Sequence, residues 1–189
     1  MRIISGSHKG RQINPPKNLP VRPTTDMNKE SLFNILNNHF HFQDLSVLDL
    51  FTGTGNISYE FSSRGVQNVT SVDQDFKCVA FVKKTAAEFE FPITAVKGSV
   101  FEFLEKTGAT FDIIFADPPY DMDDSKFAKI AEIVFSRNLL EPGGILIIEH
   151  SKHTKLENAE HLSFQKKYGG SVFSFFEKEE EDDEDENEL

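Results

Sequence analysis

The chain has 189 residues, 38% of them hydrophobic, enough for one domain with one core; no run approaches the roughly 18 apolar residues of a membrane-spanning helix, and the first residues carry no charged-then-apolar leader pattern. The formal net charge of −11 argues against a polyanionic partner only until it is mapped: residues 177–189 hold ten acids against one lysine and carry −9, leaving −2 over residues 1–176. Residues 1–29 go the other way, with Arg2, Lys9, Arg11, Lys17, Arg22 and Lys29 against Asp26 alone, a local +5 that suits nucleic-acid phosphates.

Arg2–Ile4 and Arg11–Ile13, separated by Ser5-Gly6-Ser7 and Gly10, predict a small hairpin. Residues 14–23 contain four prolines and read as an extended connection. Thr25 or Asp26 can cap a helix running through Asn38, with Leu32, Phe33, Ile35 and Leu36 at helical spacing. Beyond Gln43-Asp44, short apolar runs alternate with longer amphipathic stretches. The predicted strands are Ser46–Leu50, Asn68–Val72, Ile93–Val96, Asp112–Ala116 and Gly144–Glu149; the helices between them are Gly55–Ser63, Phe76–Phe89, Phe101–Lys106 and Ser125–Arg137. Such alternation predicts an α/β fold, a parallel sheet wrapped by helices. The end departs from it: His161–Tyr168, Gly169-Gly170 and Ser171–Phe176 read as strand, tight turn, strand, so the sheet is expected to be mixed.

The single Cys78 permits no internal disulfide, fits a reducing cytoplasm and is read as a small core residue. The six histidines show no metal-ligand spacing, and His150 with His153 is read as a solvated pair, so no metal is expected. One globular domain, 25–178, is expected between a basic arm, 1–24, and an acidic tail, 179–189, whose like charges bury nothing and leave it disordered.

Two stretches carry chemistry. In V-L-D-L-F-T-G-T-G-N-I, Val47 to Ile57, a glycine turn directly follows the first sheet strand; Gly53 and Gly55 would let the backbone approach a ligand where a side chain would collide. About twenty residues on, the second strand ends at Asp73, where a carboxylate can accept both hydroxyls of a ribose. A phosphate-binding P-loop string is absent, and Ser58 stands where a dinucleotide fingerprint needs its third glycine. That leaves a phosphate-free nucleoside such as S-adenosylmethionine, or a turn serving only the geometry of strand and helix. The second stretch, F-D-I-I-F-A-D-P-P-Y-D from Phe111, ends a buried strand on Asp117, because Pro118 and Pro119 cannot continue a ladder. A stiffened carboxylate and carbonyl beside Tyr120 then sit at the strand's carboxyl end, where open α/β sheets bind ligands.

The order D-L-F-T-G-T-G, S-V-D, F-A-D-P-P-Y resembles the class I S-adenosylmethionine-dependent methyltransferases, whose seven-stranded Rossmann-like sheet ends in an antiparallel hairpin strand. The resemblance implies that Asp49 and Gly53, Thr54 and Gly55 hold the methionine moiety, that Phe51 shapes the loop and that Asp73 binds the ribose. The family often grips the adenine amine through an aspartate where this chain has Ser99. Asp117 and the Pro118 carbonyl would accept the N–H groups of an exocyclic amine, and Tyr120 would stack on the base.

Related loops serve adenine N6, guanine N2 or a release-factor glutamine; the glutamine enzymes carry asparagine where this chain has Asp117, and a DNA enzyme needs a recognition region for which there is little room. M-R-I-I-S-G-S-H-K-G-R, then V-R-P-T-T-D-M-N-K-E-S-L-F-N-I-L, resembles the bacterial enzymes that methylate guanine-966 N2 of 16S ribosomal RNA, the RsmD type, from Arg2 through about Lys178. That implies a cytoplasmic enzyme acting on 16S RNA or a small-subunit assembly intermediate, with Arg2, Lys9, Arg11 and Arg22 on the RNA and Thr24–Glu30 helping to close the pocket; a monomer is the default expectation. Met27, Asn28 and Lys29 stand where the family usually has arginines, so one RNA or cofactor contact there is expected to be weakened or supplied differently. An N6-adenine enzyme, a glutamine N-methyltransferase and a non-catalytic RNA-binding module on the same fold are the rival readings.

Overall fold

The computed structural model describes residues 1–21 and 24–179. In chain order they form α1 (Asp26–Asn37), β1 (Ser46–Leu50), α2 (Asn56–Ser63), β2 (Asn68–Asp73), α3 (Phe76–Glu88), β3 (Ile93–Lys97), α4 (Val100–Lys106), β4 (Phe111–Ala116), α5 (Asp124–Ser136), β5 (Leu140–Ser151), β6 (Leu162–Tyr168) and β7 (Ser171–Phe176). The seven strands make one sheet in the order β3-β2-β1-β4-β5-β7-β6. The first five in that order pair in parallel, while β7 runs antiparallel to both β5 and β6. This is the expected Rossmann-like methyltransferase sheet with its closing hairpin. Among the described residues no helix is long and apolar enough to cross a membrane.

Strand alternation decides which residues meet which helices. Leu48, Leu50, Ile114, Leu146 and Ile148 pack with Phe127, Ile130 and Val134 of α5. Their neighbours Val47, Ile113, Phe115, Ile145 and Ile147 point the other way, against Leu32, Phe33 and Leu36 of α1 and Ile57 and Phe61 of α2. A third cluster joins Ile3 and Ile13 of the N-terminal segment to Tyr59 and to Val79, Val82 and Ala86 of α3. Cys78 is buried, as expected.

Three expectations shift. The N-terminal hairpin is short: Arg2 faces Gln12, the Ile3 and Ile13 amides donate to the Arg11 and Met1 carbonyls at 3.0 and 2.9 Å, and the pairing stops before Ser5, whose amide donates to the Glu60 carboxylate. β5 starts at Leu140 rather than Gly144, since Pro142-Gly143-Gly144 is accommodated where the register with β4 shifts, a bulge that reads as a turn in the sequence. His150 is buried in β5, not solvated: its Nε2 lies 2.6 Å from Ser174 Oγ, and burial lowers its pKa.

The N-terminal segment is seated on the end of α2. The Ser7 N–H donates to the Ser63 carbonyl at 2.7 Å, and Ser63 Oγ donates to the Ser5 carbonyl at 2.6 Å. Gly6, at φ +88°, passes so close that an added Cβ would lie 1.8 Å from the Ser63 oxygen, whereas Gly10, at φ +82°, has open space there. Gly10→Ala is therefore expected to cost about 1 kcal/mol, the left-handed backbone penalty alone. Gly6→Ala should cost at least roughly twice that, because the segment must also leave α2. Equal urea midpoints for the two variants would show that the close approach does not matter.

Candidate functional site

β1 lies where the strand order reverses, with β2 on one side and β4 on the other. The loops leaving the carboxyl ends of β1 and β4 therefore diverge from neighbouring points and leave a crevice. Register makes the meeting close: Asp49 sits opposite Phe115 and Leu50 opposite Ala116. The Asp117 N–H then extends the ladder by donating to the Leu50 carbonyl at 3.4 Å.

After β1 the chain turns sharply through Phe51 (φ 57°), Gly53 (φ 56°) and Gly55 (φ 83°), the last capping α2. A Cβ on Gly53 would lie 3.1 Å from Val21 Cγ1, and one on Gly55 would lie 2.5 Å from the Tyr59 ring. Tyr59 thus excludes a side chain at position 55 and Val21 crowds one at position 53, two partners the sequence did not reveal, in addition to the demand of the backbone angles. The Gly53 N–H donates to Asp73 Oδ2 at 2.9 Å, and the Asp75 N–H donates to Asp73 Oδ1 at 2.9 Å. Asp73 so ties the end of β2 to the glycine turn.

Asp49 is buried beneath that turn. Its Oδ2 accepts from Thr52 Oγ1 at 2.7 Å and from Ser58 Oγ at 2.6 Å. Burial pushes its pKa up to about 6; the two hydroxyls oppose the shift and the Asp73 charge adds to it. Ser58, the residue that breaks the dinucleotide fingerprint, is here a donor to Asp49.

The crevice is a cavity of about 530 Å³, within the range of small-molecule sites. Asp49, Phe51, Gly53, Thr54 and Asp73 line it together with Asp117, Pro118 and Tyr120. Asp117 is half-buried, Pro118 buried, and Tyr120 is 48% exposed at the mouth. Pro20, Val21 and Thr24 add a wall from the N-terminal segment, upstream of most of the stretch expected there. Four carboxylates face the cavity, Asp49, Asp73, Asp75 and Asp117, and no lysine or arginine does among the described residues. Such a cavity fits a phosphate-free, cationic nucleoside and disfavours a phosphorylated one.

Other expected residues lie elsewhere. Ser99 caps α4 by accepting from the Glu102 N–H at 3.5 Å, and lines a separate depression with Lys97 and Lys106. Arg2, Lys9 and Arg11 are exposed on the N-terminal segment. Arg2 pairs with Asp26 at 3.3 Å, and Arg11 lies over the Phe89 ring at 5.2 Å. Arg22 and residues 180–189 of the acidic tail lie outside the described residues. Lys29, expected near RNA or cofactor, is fully buried and pairs with the equally buried Glu60 at 3.2 Å. The sequence did hold a signal for this: Glu60 is the one carboxylate in α2, a helix buried along its whole length, and such a group needs a partner.

The family model described as conserved hypothetical protein 95 matches residues 1–177. YlbH of Bacillus subtilis (strain 168) is 34% identical over 161 residues, covering 82% of this chain and 85% of that one. Ribosomal RNA small subunit methyltransferase D of Escherichia coli (strain K12) is 32% identical over 151 residues, covering 79% and 71%. Among solved structures, a hypothetical protein of Thermus thermophilus superposes with a TM-score of 0.82 at 25% identity, covering 94% of this chain and 99% of that one.

The state of Asp49 gives a signed test. Its folded pKa of about 6 lies above the ordinary 3.8, so the native state holds this proton more tightly than the unfolded one. The charged carboxylate therefore weakens the fold above pH 6, and the penalty fades as pH falls toward 3.8. Asp49→Asn is expected to stabilise the protein at pH 8 by on the order of 2 kcal/mol, with the gain shrinking through pH 6. Urea unfolding at pH 8, 6 and 5 reads this; a gain that ignores pH, or a loss, counts against it.

Proposed function

The chain belongs to the conserved hypothetical protein 95 family, the S-adenosylmethionine-dependent ribosomal RNA methyltransferases that include small subunit methyltransferase D, and we propose that it methylates the exocyclic N2 amine of a guanine in 16S ribosomal RNA. The observation that carries this reading is the cavity at the sheet's switch point lined by four carboxylates, Asp117 among them, together with Pro118 and the Tyr120 ring. A cation is drawn into such a site and a phosphate is kept out.

Asp49, the Gly53–Gly55 backbone and Asp73 would hold the donor, whose contribution when bound is an electrophilic methyl group on a sulfonium. Everything else falls to the protein. The guanine amine is a poor nucleophile because its lone pair is delocalised into the ring. The Asp117 carboxylate and the Pro118 carbonyl, accepting its two N–H groups, favour the pyramidal geometry that frees the lone pair and stabilise the positive charge growing on nitrogen. Tyr120 offers a ring face at the mouth, so the base stacks in one plane and the amine approaches in line. Asp117 need not remove a proton beforehand, since the methylated amine can lose it afterwards. Arg2, Lys9 and Arg11 would hold RNA phosphates outside the cavity. The substrate is then 16S RNA, free or in an assembling small subunit, and the enzyme acts as a monomer.

Labelled S-adenosylmethionine offered with 16S RNA from cells lacking the enzyme should yield N2-methylguanine. Asp117→Ala is expected to lower kcat by about 10²-fold or more while leaving S-adenosylhomocysteine affinity nearly unchanged. Wild-type turnover by that variant removes its assigned role. Label in N6-methyladenine or in a release-factor glutamine redirects the substrate, and label nowhere leaves a non-catalytic RNA-binding module.

A further inference from the structure

Lys29 is the buried charge that the reaction as described does not use. Its ammonium donates to the Arg2 carbonyl at 2.5 Å and to Asn56 Oδ1 at 2.8 Å, and pairs with Glu60 Oε2 at 3.2 Å. An ammonium has three N–H donors and no acceptor, so these contacts occupy it fully. They also join three places: Arg2 in the N-terminal segment, Glu60 in α2, and Asn56, which opens α2 and lines the cavity.

Because Lys29 can only donate, it fixes the orientation of the Asn56 amide. The oxygen must face the ammonium, which directs the NH2 group to the opposite side, toward the Thr24 carbonyl at 3.5 Å. That distance is the long end of a hydrogen bond and leaves room to tighten. Thr24 is itself a wall of the cavity, beside Val21, which packs at the Gly53 turn. One hydrogen-bonded chain thus runs from the backbone of Arg2, through Lys29 and Asn56, to the wall of the donor site.

We propose that Asn56 and Lys29 are positioning residues that couple RNA held on the N-terminal segment to the donor held in the cavity. The inference rests on the methyltransferase reading above. A phosphate contact at Arg2 and a donor against Thr24 both draw in the 3.5 Å link between Asn56 and Thr24, so each ligand lowers the cost of tightening it for the other. Coupling of this kind is reciprocal: RNA tightens the cavity for S-adenosylhomocysteine by the factor by which S-adenosylhomocysteine tightens RNA binding.

The test is calorimetric titration of S-adenosylhomocysteine with and without a saturating 16S RNA fragment. Wild type is expected to bind it about fivefold or more tightly with RNA present. Asn56→Ala keeps the Lys29–Glu60 pair but removes the link to Thr24, and its ratio should fall to near one whatever its affinity for either ligand alone. Lys29→Arg, which still donates and carries charge, should keep part of the coupling. Thermal melts separate this from a folding defect: Asn56→Ala leaves one N–H of the buried Lys29 without an acceptor and should melt below wild type, yet remain folded at the titration temperature. An unchanged ratio in Asn56→Ala, or wild type that binds both ligands independently, overturns the coupling alone. Wild type that binds S-adenosylhomocysteine but no RNA overturns the substrate reading, and the coupling with it.

Discussion

The arrangement depends on satisfying one buried carboxylate. Glu60 lies in a helix with no solvent-facing residue, and its two oxygens receive four donors: the Ile4 and Ser5 amides at 3.0 Å each, Arg64 Nε at 2.9 Å and Lys29 Nζ at 3.2 Å. Glu60 is the one anion facing two cations, so removing it would leave the buried Lys29 ammonium uncompensated, a loss of about 3–5 kcal/mol where such pairs have been broken. Meeting that demand assembles the neighbourhood. The arm turns its Ile4 and Ser5 amides onto the carboxylate, α1 contributes its lysine, and the Arg64 guanidinium comes to lie over the Phe33 ring at 4.5 Å. Once the arm is drawn onto α2, Gly6 must cross the Ser63 carbonyl and Ile3 enters the third apolar cluster. The Lys29 ammonium that completes the set reaches on to Asn56, and so to the cavity wall.

What the sequence reveals and what it hides divide along chain distance. Strand β1 and the β7 strand are where alternation puts them, and each helix after β1 is within a residue or so of its predicted ends, because period and caps are local. Asp49, Gly53, Asp73, Asp117 and Tyr120 were legible for the same reason: each belongs to a short motif at the end of a strand, and a parallel sheet brings those ends together. The hidden contacts join residues far apart. Lys29 and Asn56 are separated by 27 positions and Ile4 and Glu60 by 56, and no local period reports such a pair. Ser99 failed to reach the main cavity for a local reason, since a serine before a helix is drawn to cap it.

The glycines illustrate how a correct residue can carry an incomplete reason. Gly53 and Gly55 suggest room for a ligand, yet the space each side chain would fill is already met by Val21 and by Tyr59. The turn is therefore set before any ligand arrives, and part of its shape is supplied by the N-terminal segment. A donor entering this cavity meets a surface that the arm has helped to build, which ties the segment expected to touch RNA to the chemistry without direct contact with the reacting atoms.

Charge then dictates how a polyanion could present a base here. The described lining carries four carboxylates and no cation, while the exposed basic groups Arg2, Lys9 and Arg11 stand on the arm outside. A phosphate following its base inward would meet repulsion in a site where low dielectric strengthens it. The favourable course keeps the backbone on the arm and sends in the neutral base alone, which is base flipping imposed by electrostatics rather than by shape. On the proposed reading a flipped base would lose its stacking partners on leaving the RNA, and Tyr120, among the most exposed aromatic rings of the described chain, would offer a replacement. The same field that admits the cationic donor thus selects which part of the RNA can reach it.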